Sequence, residues 1–358
     1  MSLNVTNRLE RLRQRFAEKG IDGILVSQPE NRHYLSGFDG SAGYLLITPQ
    51  TAVLATDFRY TEQAKRQAPD YQIFLITGNT ADWFLRLVSG QNLTRLGFES
   101  GHLTVAQHQQ LSDILNKAGT PVSLVLVDGL VETLRATKEP AEIELITRAI
   151  EISDSAMIYI KDTISVGMTE NEVAWRIESF MREHGSQTIP FEVIVASGPN
   201  AALPHAKPSL RKIGPGEPII IDIGARVGGY ASDLSRTLCL GTPDATFQKV
   251  YNIVLGAQLT AIALIKEGMS GGEADKLARA VIEEAGYAET FGHGLGHGVG
   301  LAIHEQPRLG PNSQDVLGSA MVFSVEPGIY LTGWGGVRIE DLVVMEKGGL
   351  GVLSKAPK

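Results

Sequence analysis

The chain has 358 residues, 43% hydrophobic and 20% charged, and its 32 basic and 40 acidic side chains give a formal net charge of −8. That length implies two domains, and the acidic balance disfavours a nucleic-acid or anionic-membrane partner. Cys239 is the single cysteine, which excludes an internal disulfide and a thiolate zinc site and suits a reducing cytoplasm.

The opening MSLNVTNRLERLRQRF has charges every few residues and no apolar h-region, so no signal peptide is expected. Leu9, Leu12 and Phe16 fall at helical spacing in a run that stops at Gly20. GILVS, GYLLIT and TAVLAT read as short strands, Thr61–Gln67 as a helix and YQIFLIT as a further strand. TRLGFE, a helix from Thr104 to Lys117 and VSLVLV complete an α/β domain. A boundary near residues 128–138 divides the chain into domains 1–128 and 129–358. Glu139-Pro140 opens a helix with proline in its first turn and acids at the positive dipole end, and Ile143, Ile146, Ile150 and Met157 form its apolar stripe. The longest apolar-leaning run, Val254–Ile265, is too short to cross a bilayer, so no membrane partner is expected.

The second domain contains a weak internal repeat. GMTENEVAWRIESFMREHG (167–185) aligns with GMSGGEADKLARAVIEEAG (268–286), each opening on a Thr/Ser-x-x-Glu capping box and closing on glycine. PIIIDIGARVGGYASD and MVFSVEPGIYLTGWGGVRIED continue the parallel as a buried strand, a Gly-rich hairpin and a second strand. On this alignment Asp222 corresponds to Glu326, Asp233 to Glu340 and, upstream, His205 roughly to His304. Two such halves about a pseudo-twofold axis would bring their acids together at the centre.

A carboxylate behind Ile219-Ile220-Ile221, or behind Val322-Phe323-Ser324-Val325, needs compensation to stay charged. A salt bridge to Arg226, Arg236 or Arg338 would suffice for one acid taken alone. Four converging carboxylates repel unless divalent cations lie between them. Asp222, Asp233, Glu326 and Glu340 with one imidazole make an oxygen-rich, thiolate-free donor set suited to Mn²⁺, Fe²⁺, Co²⁺ or Zn²⁺. Candidate imidazoles crowd FGHGLGHGVGLAIHE, where His293, His297 and His304 share fifteen residues with five glycines. Those glycines imply unusual dihedrals or close backbone approach.

The order Asp222, Asp233, His297, Glu326, Glu340 resembles the metal-ligand set of the pita-bread metallopeptidases, which include aminopeptidase P, prolidase and methionine aminopeptidase. IDIGARVGGYASDLSRT, HGLGHGVGLAIHE, VEPGIY and GVRIEDL carry the likeness across most of residues 130–345. NRHYLSGFDGSAGYLLI and ATDFRYTEQA resemble the creatinase-like N-terminal domain of bacterial Xaa-Pro peptidases. The resemblance implies an α+β chain with a C-terminal pita-bread catalytic domain of pseudo-twofold halves and a smaller α/β creatinase-like N-terminal domain. It implies two divalent metal ions, Mn²⁺ first among them, that activate a water. Asp233 and Glu340 would bridge them, Asp222 would complete one, and His297 with Glu326 the other. Glu326 would also shuttle the proton, His304 and His205 would contact the substrate carbonyl, and His293 would line the pocket or serve structure.

The activity so implied is that of a cytoplasmic, homodimeric metallo-exopeptidase cutting the Xaa-Pro bond at the N-terminus of peptides or in dipeptides. Arg308, four residues after His304, is a candidate for the carboxylate of a dipeptide's proline, or else a surface arginine. Arg338, two residues before Glu340, is a candidate substrate contact that more naturally orients the ligand shell. The competing readings are a catalytically silent pita-bread protein that binds peptides or proteins and an exopeptidase of another N-terminal specificity.

Overall fold

A computed structural model describes residues 5–358. They fall into two compact units, the first ending at Arg135 and the second spanning Ala136–Lys358.

The first unit is built on six short strands: β1 (Gly23–Val26), β2 (Tyr44–Ile47), β3 (Ala52–Thr56), β4 (Gln72–Leu75), β5 (Arg95–Glu99) and β6 (Ser123–Val127). They form one sheet in the order β4-β3-β2-β1-β5-β6, in which β2 runs antiparallel to both neighbours and the remaining pairs are parallel. The expected helices at Thr61–Gln67 and Val105–Lys117 are present, the second with Thr104 as its N-cap, and the N-terminal helical run ends at Gly20 with φ 61°. Helices Pro29–Ser36, Thr80–Val88 and Leu130–Ala136 were not expected. The second of these carries a readable signal, because Asn79 accepts from the Asp82 amide and the Asp82 side chain answers to the Asn79 amide. Trp83, Phe84, Leu87, Leu111 and Leu115 from these helices pack on the sheet.

The second unit has two similar halves. The first is β7 (Ile194–Ser197), β8 (Pro218–Ile223), a hairpin of β9 (Arg226–Val227) and β10 (Tyr230–Ala231), and β11 (Leu234–Cys239). The second is β12 (Gly296–Gly298), β13 (Glu305–Leu309), β14 (Val322–Val325), a hairpin of β15 (Gly328–Leu331) and β16 (Gly335–Arg338), β17 (Asp341–Glu346) and β18 (Gly349–Val352). The sheets run β11-β8-β7 and β13-β12-β14-β17-β18. Helices Pro140–Thr163 and Glu170–Glu183 cover the first, and Ala245–Leu264 and Gly271–Glu284 the second. Both capping boxes of the repeat form, at Thr169 with Glu172 and at Ser270 with Glu273.

Strand periodicity decides which side chains meet the helices and which face the opposite way. Ile219, Ile221 and Ile223 bury against the helices, whereas Ile220 joins Ala196, Ala201 and Ala206 on the other face. Asp222 therefore shares the face of Ile220. In the second half Phe323 and Val325 pack under the helices, which sends Ser324 and Glu326 to the other side. Each such large apolar side chain contributes about 1.5–3 kcal/mol on burial, so a slip of one residue in either strand would be costly.

Candidate metal centre

Asp233 immediately precedes β11 and Glu340 immediately precedes β17, so these two acids occupy equivalent positions. Asp222 and Glu326 do not correspond as the sequence alignment suggested. In the first half Asp222 pairs with Ser235, one step before Ile223 with Leu234. In the second half Val325 pairs with Asp341, so Glu326 lies one step beyond the position of Ile223. Asp222 is thus the counterpart of Ser324, two residues from Glu326. A two-residue offset keeps a strand side chain on the same face, and both acids still reach one place.

One oxygen from each of Asp222, Asp233 and Glu340 lies within 4.8 Å of the others. His297 Nε2 is 3.6 Å from Asp233 Oδ2 and 3.3 Å from Glu326 Oε1, joining all five expected ligands into one cluster. They line a cavity of about 440 Å³ that also takes in His205, His293, His304 and Arg338. Phe191, Val193, Ile194, Pro204, Ala206 and Ile303 give it apolar walls. Arg308 is absent from this lining and exposed on β13, although its charge bears on His304.

The three histidines of the Gly-rich run take different places. His297 sits on β12 inside the acidic cluster. His304 stacks edge-on to it with ring centroids 4.2 Å apart, at the exposed side. His293 is held by Gly294 O at Nδ1 (2.8 Å) and the Tyr330 hydroxyl at Nε2 (2.9 Å). The glycines beside His297 are explained by close approach: a Cβ on Gly296 would strike Ser324 O, and one on Gly298 would strike Gln306 O. Their neighbours are sheet backbone rather than the acids, and neither has positive φ.

The electrostatics are those of a crowded acidic site. Burial raises the Asp233 and Glu340 carboxyls well above the ordinary range, and the neighbouring carboxylates push the same way. Burial also raises Asp222, against the opposing pull of Arg338. For Glu326 burial is outweighed by the hydrogen bond and charge of His297, which draw its carboxyl down to about 2. His297 is raised correspondingly, its burial overcome by Glu326, while burial lowers His293 and His304.

Asp222 Oδ1 and Glu340 Oε1 are buried and have no hydrogen-bond partner among the described residues. A buried carboxylate oxygen left bare costs on the order of 1–3 kcal/mol or more. Two bare oxygens, four crowded carboxylates and one imidazole therefore fit divalent cations with oxygen-rich coordination.

The surrounding side chains fix these candidate ligands in place. Arg338 donates from Nη2 to Asp222 Oδ2 (2.6 Å), from Nε to Ser235 Oγ (3.0 Å), and from Nη1 to the Tyr330 hydroxyl (2.9 Å) and Pro204 O (3.3 Å). Ser235 Oγ in turn donates to Glu340 Oε2 (2.8 Å), and Ser324 Oγ to Glu326 Oε1 (2.9 Å). Tyr330, Ser235 and Ser324 were not singled out from sequence. Ser235 and Ser324 each lie two residues from a ligand acid, at strand spacing, which was the available signal. Tyr330 closes VEPGIY, where spacing alone gives no hint of its partners.

Comparison with known proteins gives the family. Residues 144–347 match the model of metallopeptidase family M24, and residues 8–137 match the creatinase/prolidase N-terminal domain. A Xaa-Pro dipeptidase of Pyrococcus furiosus is 35% identical over 98% of both chains. The structure of a Xaa-Pro dipeptidase from Bacillus anthracis superposes with a TM-score of 0.95 at 42% identity, covering 99% of both chains. That of an X-Pro aminopeptidase from Thermotoga maritima gives 0.88 at 37% identity over 98% of both. With a creatinase-type N-terminal domain and a pita-bread domain holding this acidic cluster, the chain belongs to metallopeptidase family M24.

Proposed function

We propose that the chain is a dinuclear-metal exopeptidase that hydrolyses the Xaa-Pro bond, at the N-terminus of peptides or in dipeptides. The observation that carries this reading is the convergence of Asp222, Asp233, His297, Glu326 and Glu340 on one cavity, where Asp222 Oδ1 and Glu340 Oε1 have no partner among the described residues. Asp233 and Glu340, at equivalent positions in the two halves, would be the acids that hold both metals. Asp222 would complete one metal, and His297 with Glu326 the other. When bound, two divalent cations lower the pKa of a water and polarise the scissile carbonyl.

The chain's own residues do the rest. Oε1 of Glu326 faces His297 and Ser324, while Oε2, which has no hydrogen-bond partner among the described residues, would take the water's proton and return it to the leaving nitrogen. His304 and His205 stand at the exposed side of the cavity, where they would donate to the carbonyl oxygen as charge grows on it. His293, anchored by Tyr330, lines the pocket. Arg338 spends its donors on Asp222, Ser235, Tyr330 and Pro204, so its role is to orient ligands rather than to grip substrate.

A Xaa-Pro bond offers no N–H at the scissile nitrogen. Recognition must then come from the carbonyl and from apolar contact with the pyrrolidine ring, which Phe191, Val193, Ile194 and Ile303 can supply. The names of the similar dipeptidases and aminopeptidase support this substrate class. The same reading includes Mn²⁺ as the first-choice metal, a cytoplasmic location and a homodimer, the last checked by light scattering in solution. No described helix is long and apolar enough to cross a membrane.

The test is hydrolysis of matched Xaa-Pro and Xaa-Pro-Yaa peptides by metal-stripped protein reloaded with Mn²⁺. Cleavage of the dipeptide alone marks a dipeptidase, and preference for the longer peptide marks an aminopeptidase. Metal uptake without cleavage of either would overturn the proposed specificity.

A further inference from the structure

Behind the acidic cluster lies a second network, centred on the buried pair Arg236 and Asp341. Arg236, on β11, is 1% exposed and directs all five guanidinium donors to protein acceptors. Nη1 donates to the carbonyls of Ser235 and Glu340, and Nη2 to Asp341 Oδ1 at 2.8 Å. The remaining bonds go to the last residues of the chain: Nη2 to Ala356 O (2.7 Å) and Nε to Pro357 O (3.1 Å). Asp341 is shared further, accepting at Oδ2 from Lys358 Nζ (2.7 Å) and from Gln258 Nε2 (3.2 Å). Gln258 also donates to Val325 O, the residue before Glu326. Asp154, itself buried, holds the terminal segment by accepting from the amides of Lys355 and Ala356.

We propose that residues 354–358, through Arg236 and Asp341, form a strap that positions the metal ligands Glu340, Glu326 and Asp233. The network reaches the backbone at or beside all three: Glu340 O itself, Val325 next to Glu326, and Ser235 two residues past Asp233. Arg236 and Asp341 do not line the catalytic cavity, so they act through the ligands and not on substrate. Because the carbonyls of Ala356 and Pro357 complete the Arg236 fork, removing them leaves a buried cation two acceptors short. The guanidinium must then shift, and Glu340 and Ser235 shift with it. These are positioning residues, and the proposal rests on the dinuclear-metal reading above.

The experiment is calorimetric titration of Mn²⁺ into metal-stripped wild type, a chain ending at Leu353, and Arg236→Lys, alongside thermal unfolding of each metal-stripped form. Loss of outer partners of a metal site costs about 10–100-fold in metal affinity, and at least a tenfold loss is expected for both variants. At saturating Mn²⁺ the KM for a Xaa-Pro peptide should stay within about twofold of wild type, because the strap never meets substrate. Lower thermal stability with unchanged Mn²⁺ affinity would reduce the strap to a structural fastening and overturn the proposal. If the shortened chain does not fold, Lys358→Ala decides, since that ammonium is a quarter exposed: weaker Mn²⁺ binding supports the strap and unchanged binding overturns it. A wild type that takes up no Mn²⁺ would bring down the metal reading as well, an outcome distinct from variants that bind like wild type.

Discussion

Arg338 Nη2 lies 2.6 Å from Asp222 Oδ2, with both side chains mostly buried, and Asp222 Oδ1 beside it has no hydrogen-bond partner among the described residues. One oxygen of the carboxylate is thus committed to orientation and the other is free for a cation. Arg338→Ala removes the restraint and leaves the acid buried among other acids. Calorimetry should show about 10–100-fold weaker Mn²⁺ binding, with Arg338→Lys intermediate because a single ammonium cannot span Asp222, Ser235 and Tyr330. Wild-type affinity in Arg338→Ala would refute this division of labour.

Asp233 and Glu340 bind protons more tightly in the folded chain than in the unfolded one. From the ordinary carboxylate range up to their raised values, the native state holds the extra protons, so stability falls as pH rises. Metal-stripped protein should therefore gain from neutralising one of them. Asp233→Asn is expected to bind no dinuclear metal, yet to unfold about 2–4 °C or more above metal-stripped wild type near pH 8. Comparing the two at one pH removes the contributions of His293 and His304, whose lowered values act in the opposite sense. A lower unfolding temperature for Asp233→Asn would contradict the crowding argument.

Much of this site was legible because acids in apolar strands are conspicuous. Asp222 after three isoleucines, and Glu326 after Val322-Phe323-Ser324-Val325, have few explanations other than a shared charge partner. The capping boxes at Thr169 and Ser270 were equally plain, being local chemistry. Register was not legible. The alignment paired Asp222 with Glu326, and only the ladders show that Ser324 holds the equivalent place. Nor was helix Pro29–Ser36, whose eight residues bury Asn31, Arg32 and Ser36 alongside Tyr34 and Leu35 and so present no apolar stripe. Tyr330 depends on contacts thirty-seven residues away at His293, a separation that no local pattern reports.

His297 and His304 meet edge to face with ring centroids 4.2 Å apart, and it is His297 that lies against the acids. His297→Ala should lose metal, measured by elemental analysis after gel filtration. His304→Ala should keep its metal and lose about 10²–10³-fold in kcat, the usual cost of removing one donor to a developing oxyanion. Equal loss of metal in the two variants would show that His304 belongs to the coordination shell.

Tyr330 joins two elements of the cavity. Its hydroxyl accepts from Arg338 and donates to His293 Nε2, while His293 Nδ1 donates to Gly294 O. Those directions are the ones a neutral imidazole takes, and burial, which lowers the His293 pKa against the opposing bond to Gly294 O, favours that form. Tyr330→Phe should retain metal and lose about fivefold in kcat/KM, the factor that ~1 kcal/mol from one neutral hydrogen bond represents. A loss as large as that of His304→Ala would place the hydroxyl itself in contact with substrate.

Arg308 forms no ion pair among the described residues and is exposed on β13, four residues beyond His304, whose pKa its charge helps to lower. An exposed arginine with its charge unspent can swing toward the cavity mouth and take a carboxylate in a two-pronged bond. A dipeptide presents that carboxylate on the proline itself, whereas a longer peptide carries it at least one residue further out. Arg308→Ala is therefore expected to lower kcat/KM for Xaa-Pro by about tenfold or more, the scale of a charge-assisted hydrogen bond at 1.5–3 kcal/mol. The loss for Xaa-Pro-Yaa should stay within about twofold. Equal losses on the two peptides would return Arg308 to the surface, and the proline carboxylate would need another partner.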